Sequence, residues 1–444
     1  MRLPPGPTTP RFVQTVFAMV QPQRGMRRLR ERFGDSFVIN APIFGKSLVI
    51  SDPAEIKQLF QTSPDIAENI EPNLGRILGP GSMFALNGDE HRAQRKLLVP
   101  PFHGRRLAAM ERIVEDETVR EMASWPAGQP FPVLPSTMRI TLNAILRAVF
   151  GAEGAEFDEL RELLPKMVTL GSVLAVLPVP QVDLGRFSPW GRFWIMRRRY
   201  NAIIDRLIEK ATDTEERNDV LAMMLQSRYE DGSAMTRGEV SDQLLALLAA
   251  GHETTATTLA WAVERLRRHP RVLNDLVKEV DAGGKELRDA TITEVQRIRP
   301  VIDLVGRTIR ADDFQLGRWT VSKGQSVLVS IALIHDDPAV FPNPREFDPT
   351  RFTDKRPDLY QWIPFGGGTR RCIGAAFATM EMSVVLRTML RDFTLVPTSE
   401  PDERWHSRGI ASAPGKGGLA VVHRRVAHAS PSSEAASTST GAGR

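Results

Sequence analysis

This 444-residue chain predicts a mainly α fold, one large helical domain carrying a small β-rich part. Three observations carry that expectation. Helical spacing recurs in "DPAEIKQLFQ", "DVLAMMLQSRY" and "AFATMEMSVVLRTMLRDF". One stretch, "TRGEVSDQLLALLAAGHETTATTLAWAVERLRRHP", is long enough to cross a whole domain as a single helix. Strand-like runs are few: "SFVIN" with "KSLVIS" near the start, "GQSVLVSIAL" after a Lys-Gly turn, and "GLAVVH" near the end.

Composition narrows the class. Apolar content of 42% and charged content of 25% are ordinary for a globular protein, and the length can bury a large core. Length alone allows about two or three domains. No repeat or long linker divides the chain, however, so residues 1–426 read as a single domain. The Ser-, Thr-, Ala- and Gly-rich stretch 427–444 reads as a disordered tail. A single cysteine cannot form an internal disulfide, which points to a reducing, cytoplasmic setting. The longest apolar run near the start, Val16 to Val20, is too short for a signal-peptide core or a transmembrane anchor. A net charge of +5 does not suit a dedicated nucleic-acid binder and fits an acidic protein partner better.

Taken in order, the "FGKS" at Phe44 to Ser47 mimics the end of a phosphate-binding loop. The loop's first glycine would have to stand at Asn40, and "SLVI" after it reads as strand, which excludes a nucleotide site. Asp52 and Pro53 supply an N-cap and a first-turn proline for "PAEIKQLFQ". The long helix opens on a capping box, Thr236 with Glu239, and Pro270 closes it. Its flanks, "LLALLAA" and "LAWAV", are apolar nearly all round, as a buried helix requires. Its middle is not: Gly251 to Thr255 interrupts the run. Glycine costs ~1 kcal/mol relative to alanine there, and buried Glu and Thr cost more unless hydrogen-bonded. A kink with a satisfied polar cluster and a functional site both account for this. A metallopeptidase reading of "HETTA" fails, because Ala256 stands where a second histidine is needed.

Glu294 and Arg297 form an i,i+3 pair in "TEVQRIRP", which read alone is a surface ion pair. The stretch "FGGGTRRCIG" holds the only cysteine, Cys372. A lone cysteine is ordinarily a small buried hydrophobe. Here three glycines let the backbone approach a neighbour closely, and a helix begins after the sulfur. That position, beside Arg370 and Arg371, favours the thiolate. No cysteine-hydrolase signature accompanies it, so a metal ligand is the better reading, and structural zinc does not fit one cysteine without paired histidines.

At this point the chain resembles the cytochrome P-450 family of haem-thiolate monooxygenases. Phe365, Gly368, Arg370, Cys372 and Gly374 match the family's cysteine loop. "AGHETT" resembles the oxygen-binding groove of its long central helix, Glu294 and Arg297 its Glu-x-x-Arg pair, and "FPNPREFDPTRF" the segment whose arginine, here Arg351, completes an ion triad. The likeness runs from about Pro4 to about Arg424. It implies a cytochrome P-450-type helical domain with a small β-rich subdomain, and haem b with Cys372 as its axial thiolate. It further implies haem contacts from Phe365, Gly366 and Gly374, and propionate contacts from His91, Arg95, Arg307 and Arg370. Ala250 and Gly251 would leave room for dioxygen, Thr254 would hydrogen-bond it, and Glu253 would help relay protons to it. Glu294, Arg297 and Arg351 would be structural.

The implied reaction inserts one oxygen atom from O2 into a lipophilic substrate such as a fatty acid, terpenoid or steroid. Electrons would come from a separate ferredoxin and its reductase, since no flavin or nicotinamide module is evident. Arg92, Lys96, Arg105, Arg106 and Arg371 are candidates to receive an acidic ferredoxin. Two segments correspond to pocket walls: residues 66–86, with glycines and prolines suited to a mobile loop, and the strongly apolar 167–194. A peroxide-driven hydroxylase and a non-catalytic haem sensor or carrier are the alternatives. Retention of Glu253 and Thr254 favours the dioxygen route.

Overall fold

A computed structural model describes residues 3–10, 14, 22–41, 44–70, 74–102, 104–151, 154–176, 179–211, 217, 219–355 and 357–425. The tail at 427–444 and the apolar run at 16–20 lie outside the described residues.

Helices dominate. Those that position the site are α1 (Pro22–Phe33), α2 (Pro53–Gln61), α3 (Gly88–Leu98), α4 (Arg105–Met122), α5 (Leu134–Phe150), α6 (Ala155–Val176), α7 (Pro189–Lys210), α8 (Arg237–Arg268), α9 (Glu286–Ile298) and α10 (Ala375–Asp392). The Asp52 carboxylate caps α2 by accepting the Ala54 and Glu55 N–H groups. The long helix forms as one piece, α8, with its Thr236–Glu239 capping box intact, and spans roughly 50 Å at ~1.5 Å per residue. Helix α5 lies along it. The Thr141 and Thr137 hydroxyls of α5 donate to the His252 and Ala256 carbonyls at 2.9 and 3.0 Å, so polar side chains in this apolar seam are satisfied across it.

A five-stranded sheet forms a second layer. Its strands are β1 (Ser36–Ala41), β2 (Gly45–Ile50), β3 (Ala67–Asn69), β4 (Leu304–Ile309) and β5 (Ser326–Ser330), in the order β1-β2-β5-β4-β3. Only β2 and β5 run parallel, with Val49 opposite Leu328. Four two-stranded ladders complete the β structure of the described residues. One of them, β6 (Trp405–Ser407) with β7 (Ser412–Pro414), rests on α8, where the buried Trp261 Nε1 donates to the Ser412 carbonyl at 2.9 Å.

Two strand expectations are corrected. In "GQSVLVSIAL" the strand stops at Ser330, whose hydroxyl accepts the Leu333 N–H and starts a short helix, Ile331–His335. "GLAVVH" splits into two short strands that pair with different partners, Phe131–Pro132 and Phe393–Leu395. No helix among the described residues is long and apolar enough to cross a membrane.

Candidate active site

The cysteine loop is built by close approach to α2. A Cβ on Gly367 would lie 2.1 Å from a ring carbon of Phe60, and one on Gly368 would lie 2.2 Å from the Phe60 carbonyl oxygen. Gly368 also sits at φ +65°, and Gly366 at φ +64°. The glycine run therefore seats the loop on Phe60, which the sequence did not name. Arg307, on β4, stands 5.5 Å over the same ring and donates to the Gly367 carbonyl at 3.1 Å. The Cys372 N–H donates to the Phe365 carbonyl at 2.9 Å, the Phe365 ring meets Trp362 edge-on, and Gly374 leads into α10.

Cys372 is accessible and lines a cavity of about 970 Å³ with Arg95, Phe365 and Arg371. The expected preference for thiolate is corrected. Crowding by protein atoms pushes the thiol pKa up, and the Gly374 N–H with the charges of Arg371 and Arg95 offsets this only in part. A metal ion would have to complete the deprotonation, as it does for coordinating thiols generally.

Beside the sulfur, the structure gathers His91 and Arg95 of α3 with Arg307 and Arg370. Burial is the largest perturbation of each; cationic neighbours add to it for His91, Arg307 and Arg370, whereas at Arg95 the Cys372 sulfur offsets it in part, and none forms an ion pair with a carboxylate among the described residues. Burial and Arg370, Arg95 and Arg307 push His91 down to about 3, so it would meet a carboxylate as a neutral N–H donor. Arg307 and Arg370 are both lowered to about 10. Three guanidinium groups so placed, without internal counter-charge, fit an external dianion such as the two propionates of haem. Arg370 has a second task. It donates to the Met83 and Leu86 carbonyls at 2.8 and 2.5 Å and to the Asn87 side chain at 2.7 Å.

Those bonds hold one end of the first wall segment. The same part is also held by α8, where the Gly81 N–H donates to Asp242 at 2.8 Å and the Gln243 amide donates to the Gly81 carbonyl at 2.6 Å. The mobile loop expected here is therefore pinned over residues 79–87. Arg197 of α7 secures the same Asp242.

In α8, Ala250 is exposed and Gly251 and Thr254 are half-buried, whereas residues 255–267 beyond them are buried. An opening thus faces the middle of a core helix. The Thr254 hydroxyl donates to the Ala250 carbonyl at 2.7 Å, which satisfies it within the helix. Gly251 serves packing on another side, since a Cβ there would lie 2.4 Å from Ile145 Cδ1 on α5. Glu253 is buried and points to Arg408, in the turn between β6 and β7, at 2.9 Å. An accessible thiol, a cation cluster without counter-charge and an opening on the central helix together suit a haem-thiolate group.

Comparison with known proteins agrees. The Cytochrome P450 family profile matches residues 4–421. The chain belongs to the cytochrome P450 family. It is 54% identical over 428 residues to the "Putative cytochrome P450 138" of Mycobacterium tuberculosis, covering 96% of this chain and 97% of that one. It is 36% identical over 460 residues to the "Putative cytochrome P450 135B1" of the same species, covering 100% and 95%. Its fold matches the solved structure "Retinoic acid bound cyanobacterial CYP120A1" with a TM-score of 0.83 at 22% identity, over 96% of this chain and 100% of that one.

As a cytochrome P450 monooxygenase, the chain is an oxidoreductase whose family uses a haem-thiolate group, dioxygen and a redox partner. The P450 ion triad forms: Arg297 grips Glu294 through two bonds of 2.6 and 2.7 Å, both side chains fully buried, and Arg351 Nε lies 3.7 Å from Glu294. Arg408 is the neighbour of Glu253 that sequence reasoning missed. It lies more than 150 positions from Glu253 in a hairpin with no motif. Of the candidate docking cations, Arg92 pairs with Asp89 and Lys96 with Glu230, whereas Arg106 and Arg371 are exposed. The Arg105 side chain lies outside the described residues.

Proposed function

We propose that this P450 oxygenates a lipophilic substrate, a fatty acid, terpenoid or steroid-like molecule, with haem b bound through Cys372. The observation that carries the reading is the accessible Cys372 thiol at the start of α10 beside the convergent His91, Arg95, Arg307 and Arg370. Haem, when bound, supplies the dioxygen chemistry. The chain's own residues do the rest. The three arginines pair with the propionates, and His91 donates an N–H. Phe365, Gly366 and Gly374 shape the thiolate side, and Ala250 with Gly251 borders the opening on α8. Thr254 commits its hydroxyl proton to the Ala250 carbonyl and so presents Oγ1 as an acceptor. Glu253 helps to relay protons, its carboxylate taking one up before passing one on. Glu294, Arg297 and Arg351 keep the fold beneath the loop, and residues 1–426 act as one domain.

Electrons come from a ferredoxin and its reductase, in the cytoplasm. The cavity beside Cys372 is lined by Arg95, Lys285, Arg288, Arg371 and Arg387 against Glu111 and Asp289, a net positive surface that suits an acidic ferredoxin. Arg371→Glu with Lys285→Glu should slow reduction several-fold and flatten its salt dependence; unchanged reduction kinetics would refute this docking face. Retention of Glu253 and Thr254 supports the dioxygen route over peroxide use or mere haem carriage, and NADPH-dependent oxygen consumption with surrogate partners separates these readings.

The test of the central claim is the absorption spectrum of dithionite-reduced protein under carbon monoxide. A strongly red-shifted Soret band, lost in Cys372→His, is expected. Bound haem without that band, or no haem after haem-replete expression, would overturn the assignment of Cys372.

A further inference from the structure

A second cavity, of about 460 Å³, opens between α1, the segment following α9 and the start of hairpin β6–β7. It shares no lining residue with the cavity beside Cys372. We propose that this cleft binds a small phosphate-bearing anion.

Charge carries the argument. Six arginines line the cleft against three carboxylates; Arg297 is committed to Glu294 behind the wall, which leaves five against three, an excess of two in a chain whose whole net charge is +5. The carboxylates are, moreover, already engaged. Glu403 accepts the backbone N–H groups of Lys416, Gly418 and Leu419. Asp336 is shared by Arg27 at 2.7 Å and Arg345 at 3.6 Å. Asp402 is shared by Arg299 at 2.7 Å and Arg265 at 2.5 Å. Arg24 and Arg404, both exposed, have no carboxylate in ion-pair range among the described residues.

A basic run on a convex helix face is ordinarily a solvated surface. This cluster differs in two respects. It is concave and drawn from separate elements, α1, the residues after α9, the 344–345 turn and the hairpin, so its cations converge on one volume. Its inner wall is also a built one. Arg299 is only 9% exposed, its guanidinium lies 5.3 Å from the Trp261 ring and 5.7 Å from the Trp405 ring, and its Nε finds no acceptor among the described residues. Its two terminal nitrogens are held by the Ile298 carbonyl and Asp402, which fixes the wall in place and leaves Arg24 and Arg404 as the cations at the mouth that lack a carboxylate partner among the described residues. Guanidinium groups arriving from several directions match a tetrahedral phosphate better than a planar carboxylate. The volume lies in the range of small-molecule sites and admits a diphosphate with a small attached group.

The phosphate can be free or carried on a lipid. Purified holoenzyme is titrated calorimetrically with inorganic pyrophosphate at constant ionic strength, and separately sedimented with phosphatidic acid vesicles against phosphatidylcholine vesicles. Saturable pyrophosphate binding, weakened at least tenfold in Arg24→Gln/Arg404→Gln, is expected for a free ligand. Vesicle binding alone, lost in the same variant, assigns the phosphate to a lipid. Both substitutions are at exposed positions, and an unchanged carbon monoxide spectrum and circular dichroism would show the variant intact. Absence of saturable binding to either probe, or binding that the double variant leaves unaltered, overturns the proposal.

Discussion

Arg408 Nε stands 2.9 Å from a carboxylate oxygen of Glu253, which ties the acid of the central helix to the hairpin β6–β7. The hairpin turn is fixed in its own right: the Arg408 N–H donates to the Ala411 carbonyl at 2.8 Å, and the Ile410 N–H donates to the Ser172 hydroxyl of α6 at 2.9 Å. Glu253 therefore sits at the end of a chain of contacts that starts on α6.

Arg408→Gln should leave haem content and the carbon monoxide spectrum unchanged while lowering product formed per NADPH several-fold, with Arg408→Lys restoring part of the loss. The buried carboxylate loses its ion-pair partner, which costs ~1–3 kcal/mol once the partial exposure of Arg408 is allowed for. Measurement of product and peroxide per NADPH with a surrogate ferredoxin checks this. Equal coupling in all three proteins would show that Arg408 is only structural.

Gly251→Ala sets helix propensity against packing. Alanine gains ~1 kcal/mol in a helix interior, whereas overpacking a core costs ~1–3 kcal/mol. With Ile145 Cδ1 only 2.4 Å from the new Cβ, the clash should win and the variant should be less stable. Ile145→Val removes that atom, so Gly251→Ala/Ile145→Val should be more stable than Gly251→Ala alone. Urea unfolding of the four proteins of the cycle reads the coupling directly.

Glu294→Ala leaves Arg297 fully buried without its carboxylate and should cost ~3–5 kcal/mol, enough to abolish haem-loaded soluble protein. Arg351→Ala should cost less, because its distance to Glu294 is 3.7 Å and Arg351 donates mainly to the Pro342 and Asn343 carbonyls. Thermal melts and haem yield rank the two.

His335 makes stability depend on pH. Its Nε2 accepts the Ile363 N–H at 3.0 Å and its Nδ1 faces the Arg297 carbonyl at 3.1 Å, which fixes the neutral Nδ1–H tautomer by geometry. Burial, then the Arg297 charge, lowers its pKa to about 3. The unfolded chain takes the proton near pH ~6.5, so between those values it binds more protons than the folded protein. Stability is complete above pH ~6.5 and falls with acidification by up to ~1.4 kcal/mol per pH unit from this group. Unfolding at pH 7, 6 and 5 should show that slope, reduced by about one proton in His335→Gln.

Much of this was legible in the sequence. The central helix announced itself through its capping box and apolar flanks, and the cysteine loop through fixed residue types at fixed spacing. What stayed hidden depended on residues distant in the chain. The glycines of the loop read as a close approach, but nothing local identified Phe60 as the neighbour. Gly251 read as part of an oxygen groove, and only the packing of α5 reveals Ile145 against it. Arg408 carries no motif and meets Glu253 through a hairpin that Trp261 of α8 and Ser172 of α6 hold in place. The thiol's acidity was misjudged because helix position and charge can be read in sequence order, whereas crowding cannot.

The pinning of residues 79–87 bears on traffic. Six hydrogen bonds join that stretch to α8 and Arg370. At ~1 kcal/mol each, swinging it clear would leave the open form populated at only about 10⁻⁴. Product that leaves many times per second cannot wait on so rare an opening, so its release rate should be indifferent to substitutions at the tip of the pinned loop.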